Sequence, residues 1–141
     1  MDNTLRLEFP ALPANVAVAR VCVAVFASQL DPTVSDLDDV KLAVSEAVTN
    51  AVVHAYEDGR GTVRVSATLA GDDLIITVED DGCGIADVAR ARQPAFSTDP
   101  ERMGLGFAFM ESSMDEVAVD SAPGRGTRVT MKKRLRAAKG K

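Results

Sequence analysis

The sequence is poor in the residues that build metal sites and disulfide frameworks. Its 141 residues include two cysteines, one histidine and no tryptophan. Cys22 lies in an apolar run and Cys83 in a glycine-rich turn, so the two do not indicate a disulfide framework. A single histidine does not support a zinc site. We therefore expect a chain that folds in a reducing compartment without a covalent or metal scaffold.

Long apolar segments are lacking as well. The longest uninterrupted apolar run, residues 21–27, is far shorter than the ~20 residues that cross a bilayer. The first residues, MDNTLRLEF, contain no apolar stretch typical of a signal peptide. The sequence thus predicts a soluble, cytoplasmic protein with no membrane partner.

The body of the chain has little positive charge. The sequence carries 16 basic and 21 acidic residues, and six of the basic ones lie in the last ten positions. Nucleic-acid binding requires clustered positive charge, so direct binding of nucleic acid is not expected. The length suits a single domain, which we place at residues 1–134, followed by a basic, disordered tail at 135–141.

Hydrophobic periodicity predicts a mixed α/β chain. In order, it indicates a strand at 5–9, helices at 15–30 and 35–56, strands at 63–69 and 74–78, a helix at 106–114, and strands at 117–120 and 127–132. Asn15 and Ser35 are the predicted N-caps of the first two helices. The hairpins imply a two-layer α/β sandwich, with a mainly antiparallel mixed sheet and helices on one face. Residues 86–103 form a long loop of the kind that is usually functional.

Three local patterns could carry chemistry. On the second helix, Glu46 and Asn50 lie one turn apart among small apolar neighbours, which suggests a cleft wall or else an ordinary surface pair. His54, one turn further, suits packing or a helix end. After the second hairpin strand, Asp80 precedes Gly82 and Gly84, which suggests close approach of a ligand to the backbone or simply a turn.

The third pattern is Gly104-x-Gly106, which the periodicity places immediately before a helix. Backbone N–H groups at a helix N-terminus can hold phosphates, although the pair equally suits a helix-entry turn. The chain contains neither a Walker A sequence nor G-x-G-x-x-G, so P-loop and Rossmann binding are not supported.

Taken in order, these patterns and the trailing Gly126-Thr127 resemble the N, G1 and G2 boxes of the GHKL ATPase/kinase superfamily, which has the Bergerat fold. The resemblance is closer to a family of sporulation serine kinases that hold a sigma factor inactive. It extends over FASQLDP, VSEAVTNA, ARQP and MDEV, which begin at residues 26, 44, 91 and 114.

The resemblance implies a homodimer that binds ATP and Mg²⁺ and phosphorylates a serine of a small anti-anti-sigma protein. Glu46 would be the general base, and Arg102 would neutralise charge on the γ-phosphate. Asn50 would ligate Mg²⁺, and Arg20 would contact the partners, unless it is an ordinary exposed helix residue. Loop 86–103 would be the ATP lid. The residues implied in nucleotide binding are Asn50, Asp80, Gly82, Gly84, Gly104, Gly106 and Thr127.

Other functions are compatible with the same residues. A stress-response type of anti-sigma switch kinase would have the same pocket, so only its partners would differ. A non-catalytic sigma-binding module could use ATP as a structural ligand, but it would not require a base at Glu46. A histidine-kinase fragment fits least, because no phosphoacceptor helix precedes the domain. The sequence leaves open which sigma factor is bound, the dimer interface and the role of the tail.

Overall fold

A computed structural model describes residues 2–56, 60–84 and 101–135, without the side chains of 101–104. Within these ranges the chain forms five strands and three helices, with a short 3₁₀ turn at Ser28–Leu30. In order these are β1 (Asp2–Pro10), α1 (Ala14–Ala27), α2 (Val34–His54), β2 (Thr62–Ala70), β3 (Asp73–Asp80), α3 (Glu101–Ser113), β4 (Glu116–Ser121) and β5 (Thr127–Arg134).

The five strands form one sheet in the order β1-β2-β3-β5-β4, and all four pairings are antiparallel. The inward-facing residues of β2, β3 and β5 are buried with the apolar stripes of the helices in one continuous core. The opposite face of the sheet carries half-buried and exposed side chains. This arrangement confirms the predicted two-layer sandwich, and the described strands contain no parallel pair.

The predicted helix caps are wrong, although the helices themselves are confirmed. Pro13, not Asn15, precedes α1, and the Asn15 side chain donates instead to the Pro10 carbonyl at 3.0 Å. Thr33, not Ser35, caps α2, because its hydroxyl accepts from the Asp36 N–H at 3.0 Å. Either hydroxyl residue could cap by its chemistry, and only the backbone path selects between them.

The third helix begins earlier than the sequence predicts. Since α3 starts at Glu101, the last residues of the predicted loop are helical and the glycine pair lies inside the helix rather than before it. The rest of that predicted loop, residues 86–100, lies outside the described residues. At the other end, Leu135 is buried in the core, so the first residue of the predicted tail is part of the fold. The rest of the tail, 136–141, is also outside the described residues.

Lys133 ties the sheet to two helices. It lies on the inward face of β5, where its Nζ donates to the Ser113 carbonyl at the end of α3 at 3.0 Å. The same Nζ lies 3.3 Å from Asp39 and 3.9 Å from Asp36 in the first turns of α2. A cation that binds a terminal helix carbonyl satisfies an otherwise orphan acceptor. Lys133 thus fixes one end of α2 beside one end of α3.

Candidate nucleotide-binding site

A cavity lies between the C-terminal half of α2 and the ends of β3 and β5. The space between its lining atoms measures about 380 Å³ and includes open solvent at its mouth. Its polar side chains are Asn50 and His54 on α2, Asp80 at the end of β3 and Thr127 at the start of β5. The remaining lining is small or apolar and comprises Ala47, Ala51, Ala55, Val78, Gly84, Phe107 and Val129. Apolar walls with a few convergent polar groups are typical of small-molecule sites.

Asp80 enters the cavity because it continues the inward register of β3. Leu74, Ile76 and Val78 precede it at alternate positions, and all are buried in the core. Side chains two residues apart on a strand share a face, so the next inward position is Asp80, which is only 8% exposed. The strand therefore delivers a carboxylate to the end of an apolar row.

Burial raises the pKa of the Asp80 carboxyl above its ordinary value, since the charged form is desolvated. Backbone hydrogen bonds at Gly82 and Thr127 act in the opposite direction, and the Gly82 N–H donates to Oδ1 at 2.9 Å. These bonds leave other lone pairs of the carboxylate available, because an ionised carboxylate offers about four acceptor positions. Asp80 is a buried acceptor that can bind a ligand N–H.

Glycines let the backbone close tightly around Asp80. A side chain at Gly82 would overlap the Ala55 carbonyl, and one at Gly84, whose φ is +75°, would overlap the Ala122 carbonyl. The Cys83 N–H donates to the Ala55 carbonyl at 2.7 Å, which joins this turn to the end of α2. The close approach that these two glycines allow in the structure is therefore one of backbone to backbone.

Gly126 allows a direct stability test of this packing. Its φ is +83°, and a Cβ there would overlap the Asp80 carbonyl, whereas Gly124, at φ +74°, has nothing within 4 Å. We expect Gly124→Ala to cost about 1–2 kcal/mol from the left-handed backbone alone. Gly126→Ala should cost a further ~1–3 kcal/mol, because the clash adds to a similar backbone penalty. Urea denaturation of both variants measures the difference, and equal losses would show that the contact is easily relieved.

Asn50 faces the cavity with an unsatisfied donor. Its Nδ2 is buried and, among the described residues, has no hydrogen-bond partner. Gly106 of α3 passes beside this amide, since a Cβ at Gly106 would lie 3.3 Å from both Nδ2 and Oδ1. A buried polar atom without a partner is unfavourable and needs an explanation, such as a ligand. The amide offers an oxygen as well as an NH₂ group, so it fits either a hydrogen-bond acceptor or a hard cation.

The other predicted site residues are on two helices beside the cavity and on α1: Glu46 on α2, Gly104 and Arg102 on α3, and Arg20 on α1. Glu46 is half-buried one turn before Asn50, but it is not among the lining residues. Arg20 on α1 is also half-buried and donates to the Ser45 hydroxyl of α2 at 3.4 Å, so it is not simply an exposed helix residue. Gly104 lies in the first turn of α3. The side chain of Arg102 lies outside the described residues.

Two residues of the site, His54 and Ser121, were not predicted as site residues from the sequence. His54 ends α2, as predicted, but it also lines the cavity. Its spacing of one helical turn from Asn50 was the available signal. Ser121 of β4 contacts the Thr127 hydroxyl at 2.8 Å. That contact depends on the register of the last hairpin, which periodicity alone does not fix.

Two further observations limit what the described part of the chain can hold. It contains no group of three or more His, Cys, Asp or Glu side chains positioned to bind a metal ion. A cation at Asn50 would therefore need most of its ligands from a bound molecule or water, which is the usual situation for Mg²⁺ on phosphates. None of the described helices is both long and apolar enough to cross a membrane.

Comparison with known proteins agrees with this architecture. The family model described as the histidine kinase-like ATPase domain matches residues 9–133. An anti-sigma F factor of Bacillus subtilis (strain 168) is 49% identical over 138 residues, which cover 96% of this chain and 94% of that protein. An anti-sigma F factor of Clostridium kluyveri is 48% identical over 134 residues, covering 94% of each chain.

A solved structure of the RsbU and RsbW domains of Rv1364c from Mycobacterium tuberculosis is also similar. Its TM-score is 0.70 at 26% identity, with 94% of this chain covered and 32% of that longer chain. The chain belongs to the histidine kinase-like ATPase domain family, and within it to the family of the anti-sigma F factors. ATP is accordingly the ligand that the family implies for the cavity.

Proposed function

We propose that the protein is an ATP-dependent anti-sigma factor that also acts as a serine kinase. Its relatives are named for binding sigma F, and a sporulation sigma factor of that type is the proposed partner. The observation that carries the proposal is the cavity in which the buried carboxylate of Asp80 lies together with the Asn50 Nδ2, which has no hydrogen-bond partner within the described part of the chain. A carboxylate acceptor over apolar walls suits the amino edge of adenine, and an amide nearby suits the phosphate end.

The nucleotide roles follow the chemistry of each group. The Asp80 carboxylate accepts a hydrogen bond from the adenine amino group, and Thr127 lies at the same end of the cavity. Gly82 and Gly84 hold the backbone turn that shapes this end. Gly106 lets α3 pass close to Asn50. Gly104 and Gly106 are the proposed glycines of the phosphate end, and Arg102 is proposed to neutralise charge on the γ-phosphate.

The Asn50 amide oxygen would hold Mg²⁺, and the ion would supply positive charge that offsets the charge of the phosphates. Glu46, one turn away on α2, is the proposed general base that accepts the proton of the substrate serine. Glu46 is half-buried, and a carboxylate can act as a general base when it lies within hydrogen-bond reach of the substrate hydroxyl.

The proposed partners are the sigma factor and a small anti-anti-sigma protein that is phosphorylated on serine. Arg20 is the proposed contact to these partners, in a homodimer, and residues 86–103 are the proposed ATP lid. Loss of the γ-phosphate on phosphotransfer would change the contacts of that lid and so the adjoining partner surface. A phosphoserine product would bind weakly, since its added negative charge would face an acidic domain.

The raised pKa of Asp80 predicts a pH-dependent affinity for adenine ligands. Because the ionised carboxylate is the acceptor, affinity should fall with decreasing pH and begin to do so above the ordinary aspartate range of about 3.9. Protonation favours the folded state, so the fold should lose no stability from Asp80 over this window. Calorimetry with adenosine, which carries no titrating phosphate, at a series of pH values from ~7 down to the ordinary aspartate pKa of ~3.9 checks the effect. A constant affinity over that whole range would contradict the proposed role of Asp80.

The kinase proposal is tested by incubating the protein with MgATP and the small anti-anti-sigma protein. Mass spectrometry should show one added phosphate on a serine of that protein, with release of ADP. Sigma-factor binding without any phosphotransfer would favour the alternative of a non-catalytic module that uses ATP as a structural ligand. Phosphotransfer only to an antagonist of the stress-response type would favour the corresponding alternative switch kinase.

A further inference from the structure

The single tyrosine of the chain lies between the ends of two strands, next to Asp80. Tyr56 comes just after α2, and its half-buried ring packs against the core. Its hydroxyl accepts a hydrogen bond from the Asp81 N–H at 2.9 Å and donates one to the Thr62 carbonyl at 2.7 Å. An N–H can only donate and a carbonyl can only accept, so the directions of both bonds are fixed.

This hydroxyl occupies the place of a backbone hydrogen bond of the sheet. The register of β2 and β3, continued one position past its last pair, puts Asp81 opposite Thr62. Bonded pairs alternate along an antiparallel ladder, beginning with the pair that flanks a two-residue turn. That first pair is Ala70 and Asp73, an even number of positions away, so the ladder alone predicts a bond between Asp81 and Thr62. The phenol hydroxyl is inserted into that rung and keeps the two strand ends apart.

The peptide between Asp80 and Asp81 is held on both sides. Its N–H binds the Tyr56 hydroxyl. Its carbonyl lies against Gly126, where an added Cβ would overlap the carbonyl oxygen. The Tyr56 ring is itself seated on Gly61, where a Cβ would overlap the ring carbons. Because this peptide shares its Cα with the Asp80 side chain, its orientation sets the direction of the carboxylate.

We propose that Tyr56 is a positioning residue that keeps the Asp80 carboxylate directed at the adenine amino group. The inference rests on the proposed function, in which that carboxylate binds adenine. Tyr56 does not line the cavity, so it acts through Asp80. Without the hydroxyl, the Asp81 N–H and the Thr62 carbonyl can pair with each other, which extends the ladder by one rung and turns the peptide toward β2. The fold then keeps its backbone hydrogen bonds, while the carboxylate loses the direction that adenine requires.

The test is Tyr56→Phe, which removes the hydroxyl and leaves the ring on Gly61. Affinity for ADP, measured by calorimetry, should fall by roughly three- to tenfold, the range for about one hydrogen bond. Stability in urea should change little, since the freed backbone groups can pair. Ser28→Ala is the matched control, because it also removes a hydroxyl that donates to a backbone carbonyl, that of Val25, at 2.6 Å. It should bind ADP like the wild type.

A double-mutant cycle with Asp80→Asn shows whether the effect passes through the carboxylate. In that background Tyr56→Phe should cause no further loss of ADP affinity, because no carboxylate is left to position. Unchanged affinity in Tyr56→Phe alone, or an equal loss in both backgrounds, overturns the role of Tyr56 while leaving the nucleotide site intact. Failure of the wild-type protein to bind ADP overturns the proposed function, and this inference with it.

A second measurement applies if Tyr56→Phe does not fold. Because the chain contains one tyrosine, incorporation of fluorotyrosine labels position 56 alone. The fluorine NMR signal should shift when adenosine is added to saturation, and Asp80→Asn should abolish the shift at the same adenosine concentration. A signal that saturating adenosine leaves unchanged would show that the phenol does not respond to the base, and it would overturn the proposal.

Discussion

Asp80→Asn should lower the affinity for ATP and ADP by about 10- to 100-fold or more while the fold is retained. The amide turns one of its NH₂ donors toward the adenine amine, so a charged hydrogen bond of about 1.5–3 kcal/mol is lost and two donors face each other. Stability should change little, because Asp80 is only 8% exposed and the substitution also removes the cost of burying a charge. Calorimetry measures the binding, and circular dichroism with urea denaturation measures the fold.

Asp81→Asn is the matched control for this experiment. Asp81 is the next carboxylate along the chain, but its side chain is 68% exposed and forms a bidentate pair with Arg64 at 2.9 and 3.0 Å. The pKa of Asp81 is lowered by that guanidinium, unlike the raised pKa of Asp80. Its neutralisation should leave nucleotide affinity within about twofold, since exposed ion pairs contribute little. Unchanged affinity in Asp80→Asn would refute the assignment of adenine binding to Asp80.

Glu46→Gln should separate nucleotide binding from phosphotransfer. We expect MgATP affinity within a few-fold of the wild type, because Glu46 does not line the cavity. Phosphotransfer to the small anti-anti-sigma protein should fall by ~10²-fold or more, the range for losing general-base catalysis. Single-turnover assays with saturating MgATP report the chemical step separately from binding.

Glu8→Gln provides the same chemical change on exposed β1 and should transfer phosphate at the wild-type rate. Asn50→Ala provides the complementary result, a loss of the Mg²⁺-dependent part of binding. A wild-type rate in Glu46→Gln would show that another group, or the substrate itself, manages the serine proton.

The sandwich could be predicted from the sequence because its signals are periodic. Strict alternation in β2 and β3 and the two-residue turn at Gly71-Asp72 are enough to define that hairpin. The same alternation places Asp80 on the buried face, so its role as an inward carboxylate was accessible from the sequence. The apolar stripe of α2 faces the core, and Asn50 lies beside that stripe rather than on the solvent-facing side of the helix.

Other features depend on tertiary context that periodicity does not carry. Helix α3 starts before the glycine pair, although glycine is a poor helix former. At Gly106, α3 packs directly against Asn50 of α2. The choice of Thr33 over Ser35 as a cap depends on where the chain leaves the preceding turn. The pairing of Ser121 with Thr127 depends on strand register. The roles of Glu46 and Arg102 rest on family resemblance and remain predictions.

The central claim, that nucleotide state controls partner binding, is tested most directly by titrating labelled sigma F against the protein. The titration is run with MgATP, with MgADP and without nucleotide. We predict the tightest binding with MgATP, and linkage limits the difference to ~1–3 kcal/mol, or about 5- to 150-fold. In the Asp80→Asn variant the three affinities should become equal. Equal affinities in the wild-type protein would instead describe a nucleotide-independent clamp and contradict the switch.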